Sequence, residues 1–391
     1  MRTEWRRWTA ALCLILGHTA IARAAPLSVS YSFTLVAESS GPFTSVGRGS
    51  INDEGTVAFL ASLRDGGQAI VIGNGGATTM LYATGDSFAA FPLTAPGIND
   101  AGTVAFVAEL VSAASSIFTG NGGPTTTIAD TSGRFRSFIS QRSPISEAGA
   151  VAFSANLTAG GSGVFSGSGD PVTTIADSTG PFTLFSFQSI NRAGTVAFAA
   201  GTSGLDAIVA GDGGPLSVLY DTSGRFSSFR PPDINDAGTV AFFAQLDDSS
   251  TGIFSGNGGP VTTIAGSSSS FMPFNDPGVN NQGMVAFTAF LGLDNIGIFT
   301  GPDAIGDRVV ASGDPLFGST VVGIEFDPNG LNDAGQIAFS ASLADGRQVV
   351  ARADAVVPEA PTFVLLGLGV FFSVCFFRRG LVAVTFPRPA C

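Results

Sequence analysis

The chain has 391 residues and a formal net charge of −12, with 18 basic residues, all of them Arg, against 30 acidic ones. Its one His (His18), both Trp (Trp5, Trp8) and all three Cys (Cys13, Cys375, Cys391) fall outside residues 25–357. Within that stretch there can be no Ser-His-Asp or Cys-His site, no Lys Schiff base and no His- or Cys-ligated metal; its acidity argues against nucleic acid or anionic lipid as a partner.

The N-terminus carries Arg2, Arg6 and Arg7, then an apolar run over 9–22. Ala22-Arg23-Ala24 is a small-x-small cleavage signal, so residues 1–24 read as a signal peptide. The chain is expected to be exported. From 25 to 357 there are 11 Arg and 28 acids, a net charge of −17. No disulfide can staple this part, so its stability must come from packing and closure.

One phrase then recurs seven times, most plainly as Ile98-Asn99-Asp100-Ala101-Gly102-Thr103-Val104-Ala105-Phe106. The copies start at Ile51, Ile98, Ile145, Ile190, Ile234, Val279 and Leu331. It reads as strand, tight turn, strand: Asn and Asp bond their own backbone, and Gly takes a positive φ. Val104 and Phe106 share one strand face, with Ala105 on the other. Ile-Phe-x-Gly, Thr-Thr-Ile-Ala (Thr126–Ala129, Thr173–Ala176, Thr262–Ala265) and Phe-x-x-Phe (Phe135–Phe138, Phe226–Phe229, Phe271–Phe274) recur beside it. These are β-branched and aromatic runs between turn residues.

Each period thus holds four strands: A (Phe-x-x-Phe to Ile-Asn), B (Thr-Val-Ala-Phe), C (Ile-Phe-x-Gly) and D (Thr-Thr-Ile-Ala). Four strands in about 40–50 residues is the size of a propeller blade. The last period stops after C. The N-terminus opens with a lone D-like strand carrying Tyr31, Phe33 and Leu35. Residues 25–356 are therefore expected to form an all-β, seven-bladed β-propeller of four-stranded blades, closed by the N-terminal strand completing the last blade.

Beyond it, Val357-Pro358-Glu359 precedes sixteen apolar or small residues, Thr362 to Phe377, then Arg378-Arg379 and a tail over 380–391. Residues 357–379 read as a membrane-spanning sorting segment, with the arginines at its cytoplasmic end.

The repeat resembles the Asn-x-x-Gly-x-x-Ala-Phe tandem repeat of exported bacterial "choice-of-anchor" proteins. It matches at Asn52/Gly55/Ala58/Phe59 and, among others, Asn235/Gly238/Ala241/Phe242; the third copy has Ser146 for Asn. The C-terminus is similar to a PEP-CTERM sorting signal, with Ala360 where the motif's second Pro would stand. That resemblance implies an exosortase-like processing enzyme as a partner, and a place at the cell envelope or extracellular surface.

Site candidates are few. The Asn-Asp-x-Gly turns offer one carboxylate each, or two in the first (Asp53 and Glu54), so no metal is expected there, and no cofactor is called for. Four D-to-A loops begin with an acid: Glu38, Asp130, Asp177 and Asp221. Asx-turn chemistry accounts for the pattern; a carboxylate- and hydroxyl-rich rim would also suit a sugar or a divalent cation. Glu109 and Glu325 break the repeat pattern and are the other ligand candidates. The expected function is a non-enzymatic binding or structural component of the envelope or exopolysaccharide matrix, with carbohydrate or envelope proteins as partners. The alternative is a carboxylate-based glycoside hydrolase or lyase on the same scaffold.

Overall fold

A computed structural model describes residues 29–356, apart from 93–94, 140–141, 268–270, 272–274 and 293–294. The expected signal peptide with Ala22 and Ala24, the expected sorting segment with Pro358, Glu359, Arg378 and Arg379, and Phe274 lie outside the described residues. Seven antiparallel sheets follow one another along the chain. Blade 1 shows the plan: A is Phe43–Ile51, B Val57–Leu63, C Gln68–Gly73 and D Thr79–Ala83.

The seventh sheet closes the ring as expected. Its C strand, Gln348–Val356, lies between Ile337–Leu343 and the N-terminal strand Ser30–Glu38. The Ser39 N–H donates to the Gln348 carbonyl at 2.7 Å, and the Gln348 N–H donates to Ser39 Oγ at 2.8 Å. Phe33 meets the ring of Phe339 edge-on. Inward, the A strand Ser319–Leu331 turns back on a short Pro315–Leu316 strand.

The phrase's faces build the core. Phe59, Phe106, Phe153, Phe198, Phe242, Phe287 and Phe339 are all at most 1 % exposed. Val104 and Phe106 pack against Ala58, Leu60 and Ile70 of blade 1. Ala105 and Val107, on the other face, pack against Val151 and Phe153 of blade 3. Each interface thus sets the Phe face of one blade on the Ala face of the one before it. Burying one such Phe stabilises by about 1.5–3 kcal/mol.

The A strands depart from expectation. In blades 2 and 5 they are split, into Phe88–Ala90 with Gly97–Ile98 and Phe226–Phe229 with Asp233–Ile234. Pro92 and Pro96, and Pro231 and Pro232, fall in the gaps. Proline donates no ladder hydrogen bond, so pairing lapses there. Blade 4 has no proline in this stretch, and its A strand, Leu184–Ile190, is continuous.

Candidate active site

The A strands run innermost, so the seven A-to-B turns meet around the propeller axis. In six of them Asn caps a tight hairpin, and in the third Ser146 does so, its Oγ accepting the Ala150 N–H. The Gly102 N–H donates to the Asn99 carbonyl at 2.9 Å, and the Thr103 N–H donates to Asn99 Oδ1 at 2.9 Å. Gly102 has φ 73°, where a side chain would be strained, and the other six turn glycines also have positive φ.

Two rings of hydrogen bonds join the turns. In the first, an Asn amide donates to the turn carbonyl of the next blade: Asn52 to Asn99, Asn99 to Ser146, Asn191 to Asn235, Asn235 to Asn280, Asn280 to Asn332 and Asn332 to Asn52. In the second, the residue after Asn receives the backbone N–H of the turn before it. Asp100 thus accepts from Asp53, Glu147 from Asp100, Asp236 from Arg192, Asn281 from Asp236, Asp333 from Asn281 and Asp53 from Asp333. Both rings skip the same junction, between blades 3 and 4. Ser146 has no amide to donate, and Arg192 has no oxygen to accept.

The second ring surrounds a pocket of about 140 Å³. Its rim carries Asp53, Asp100, Glu147, Arg192, Asp236, Asn281 and Asp333. Arg192 reaches across it: one guanidinium nitrogen contacts Asp53, Asp100 (3.1 Å) and Asp333 (3.3 Å), and Nε contacts Asp236 (3.2 Å). Glu147 is the one rim acid with no ion pair among the described residues. Burial raises the pKa of Glu147 above the ordinary carboxylate range, and the nearby charge of Asp100 adds to this. Burial also raises Asp53, against the pull of the Asp333 N–H. The floor is apolar, with Ile98, Pro144 and Ile234, and includes one further acid, Asp233.

The acids singled out in the sequence lie elsewhere. The D-to-A loops are at the other end of the blades from the A-to-B turns. There Asp130, Asp177 and Asp221 each accept from the Ser or Thr two residues on, which holds their carboxyls below the ordinary range. Glu38 pairs with Arg347 at 2.8 Å. Glu325 faces Arg48 at 3.6 Å across the blade 7–blade 1 seam, and Glu109 is exposed on a B strand. The structure does not bring these six together. The axial acids were visible in the sequence only as turn residues. Aligning the seven phrases on the position after Asn would have shown four Asp, one Glu, one Asn and a lone Arg.

Fold and pocket define a seven-bladed propeller with an acidic axial mouth. The chain belongs to a family of unknown function, DUF7453, which matches residues 63–214 and 208–322. No curated protein matches. Among solved structures the chain is similar to an oligogalacturonate lyase in complex with manganese, at 12 % identity and TM-score 0.55, over 84 % of this chain and 98 % of that one. It is also similar to an oligogalacturonate lyase from Vibrio parahaemolyticus, at 14 % identity and TM-score 0.56, over 86 % and 99 %. At such identity the likeness establishes a shared fold.

These neighbours correct the expectation of a non-enzymatic binding or structural component. Two oligogalacturonate lyases are built on the same fold, which favours the alternative, a carboxylate-based glycoside hydrolase or lyase on this scaffold. The manganese of the first does not carry over. This propeller has no His or Cys. Among the described residues no group of three or more His, Cys, Asp or Glu is placed to hold a metal ion. The rim acids spend their oxygens on neighbouring N–H groups and on Arg192.

Proposed function

We propose that this protein is a carboxylate-based glycan-cleaving enzyme, with the axial pocket as its active site. The observation that carries the reading is Glu147. It is a half-buried carboxylate on the pocket rim, fixed by the Asp100 N–H, and it feels the charge of Arg192 without an ion-pair contact among the described residues. Glycosidic hydrolysis needs no more than two such carboxyl groups, one to donate a proton and one to activate water or attack the sugar. Glu147 takes the second role. Arg192 offsets part of the remaining rim charge, which helps several acids stand close together at neutral pH.

The charge of the site selects its substrate. Five acids and one Arg around the mouth, on a domain of net charge −17, repel a polyuronide. Hydrolysis of a neutral or amino-bearing saccharide therefore fits better than uronate elimination. The full-length protein should be assayed against neutral, amino and uronate oligosaccharides, with products separated by chromatography. Glu147→Gln is expected to lower turnover by about 100-fold or more. An unsaturated uronate product would move the assignment to a lyase. No cleavage of any saccharide, or full activity in Glu147→Gln, would overturn the reading.

The same proposal places the enzyme outside the cell, tethered by its C-terminal span. Support comes from Arg2, Arg6, Arg7 and Ala22-Arg23-Ala24 at one end, and Pro358-Glu359 and Arg378-Arg379 at the other. The resemblance to PEP-CTERM signals adds processing by an exosortase-like enzyme. Protease added to spheroplasts should digest the propeller; complete protection would count against export.

A further inference from the structure

We propose that Asp233 is the proton donor of the axial site, delivering its proton to the glycosidic oxygen of a saccharide held in the pocket. This rests on the glycan-cleaving reading above and names the second carboxyl that the reading requires.

Asp233 opens the second piece of the split A strand of blade 5, one residue before the repeated phrase. The same position holds Ser50, Gly97, Pro144, Ser189, Gly278 and Gly330 in the other blades, so only blade 5 carries a carboxyl there. The side chain is more than nine-tenths buried, yet it contributes to the pocket's floor. Oδ2 accepts the Val279 N–H at 2.8 Å, which fixes the group between blades 5 and 6. Among the described residues Asp233 makes no ion pair.

The charged groups that act on it are Arg142 and Asp327. Arg142 is committed elsewhere, to Asp276 at 2.8 Å and Asp327 at 3.6 Å. Asp327 is itself buried, so three acids share one cation around the axis. A fully buried carboxylate without a counter-ion in contact is costly, and the group keeps its proton instead. Burial pushes Asp233 up to about 7, with Asp327 adding to the rise and the Val279 N–H and Arg142 opposing it. The ring of bonds alone does not call for an acid here. An Asn would accept the Val279 N–H equally well, and Ser50 ties its own blade to the next through the Pro96 carbonyl. What Asn and Ser lack is a proton they can give up.

The step balances. The proton leaves Asp233 for the glycosidic oxygen as the bond from C1 to that oxygen breaks, and the electron pair departs with the leaving sugar. Water bonds to C1 and yields its proton to Glu147. Solvent water then returns a proton to Asp233 and takes one from Glu147, so saccharide and water give two shorter saccharides.

The test uses the full-length chain and Asp233→Asn, which keeps an oxygen for Val279. Asp233→Ser, the residue of blades 1 and 4, is a second variant should Asn fold poorly. On a saccharide that the unaltered protein cleaves, Asp233→Asn should lose about 100-fold or more. On an aryl glycoside whose leaving group needs no proton, it should lose less than about 10-fold. Equal losses on both, or none on either, would overturn the proposal while leaving the enzymatic reading intact. A protein that cleaves no saccharide removes both. Carbon-13 NMR of labelled Asp carboxyls gives a readout free of activity. The resonance missing in Asp233→Asn should titrate near neutrality, and titration in the ordinary carboxylate range sinks the proposal whatever the turnover.

Discussion

Asp53 uses its two oxygens differently: Oδ1 accepts the Asp333 N–H, and Oδ2 faces Arg192. The carboxylates at this position are thus both ties between blades and wall of the pocket, and a residue count along the phrase separates neither role. The phrase made the Asn turn legible, because Asn, Asp and Gly each have a local reason to be there. The ring was hidden because each of its bonds spans at least 44 residues. Ser146 was noticed as a departure from the repeat, and its effect is now physical: one amide donor is missing. Ser146→Asn should complete the ring by donating to the Asn191 carbonyl and stabilise the fold by about 1 kcal/mol in denaturant melts. A neutral or destabilising change would mean that Arg192 and its turn already close that junction. Asp233 gives a pH dependence with a definite sign. Its pKa in the folded state, about 7, lies above the unfolded value of about 3.9, so folding takes up a proton. Its contribution is whole below about pH 4 and fades as pH rises towards 7. Asp130, Asp177 and Asp221 act oppositely, contributing above the ordinary carboxylate range and losing that as pH falls. Asp233→Asn should flatten the decline between about pH 4 and 7 in thermal melts; an unchanged slope would assign that decline to other groups.

The elements were legible to different depths for a physical reason. B strands are buried on both faces, so Val-Ala-Phe is dictated at every position; all seven B strands lie at the expected place. D strands are edges with exposed starts, such as Thr126 and Thr127, and less constrains them. They run one residue past the Thr-Thr-Ile-Ala signal, on to the acid, as in Thr126–Asp130 and Thr173–Asp177. A strands crowd the axis, where hydrophobic alternation gives way to Pro and Gly. Gly97 explains why. A Cβ on it would lie 2.1 Å from the Ser143 carbonyl oxygen of the next blade, and one on Gly278 would lie 2.3 Å from that of Pro328. These are backbone atoms of the neighbouring blades, and they cannot swing aside as a side chain could. Gly97→Ala should therefore cost about 1–3 kcal/mol, as overpacking does elsewhere. Gly133→Ala, on a D-to-A loop with open space around the new methyl and an ordinary φ, should be nearly neutral. Equal effects in chemical denaturation would show that the inner strands yield more readily than their spacing implies.

At the scale of the whole molecule, the propeller's first and last strands, Ser30–Glu38 and Gln348–Val356, are joined by backbone pairing without a covalent link. Ser30–Glu38 does more than fill an empty edge. Tyr31, Phe33 and Leu35 pack on the blade 7 core, while Val36 and Ala37 belong to the core shared with blade 1. Arg347 reinforces the seam through Glu38, and Thr34 donates to Asp354 at 3.2 Å. One strand therefore holds two blades, and it holds the blades that would otherwise be the free ends of a linear array. An array coupled only to nearest neighbours can fray from its ends; a closed ring has no end from which to fray. Removing residues 25–38 makes one, and it also exposes the unpaired edge of Gln348–Val356, a template for association with other chains. Hydrogen exchange on the shortened protein should show faster exchange at Val349 and Val350 than at the matching C-strand positions of blade 4, Ala207 and Ile208. The intact protein should protect both pairs alike. Uniform loss of protection in every blade would mean that the ring unfolds as one unit whatever its seam. Unchanged protection at Val349 and Val350 would mean that the N-terminal strand contributes nothing to closure.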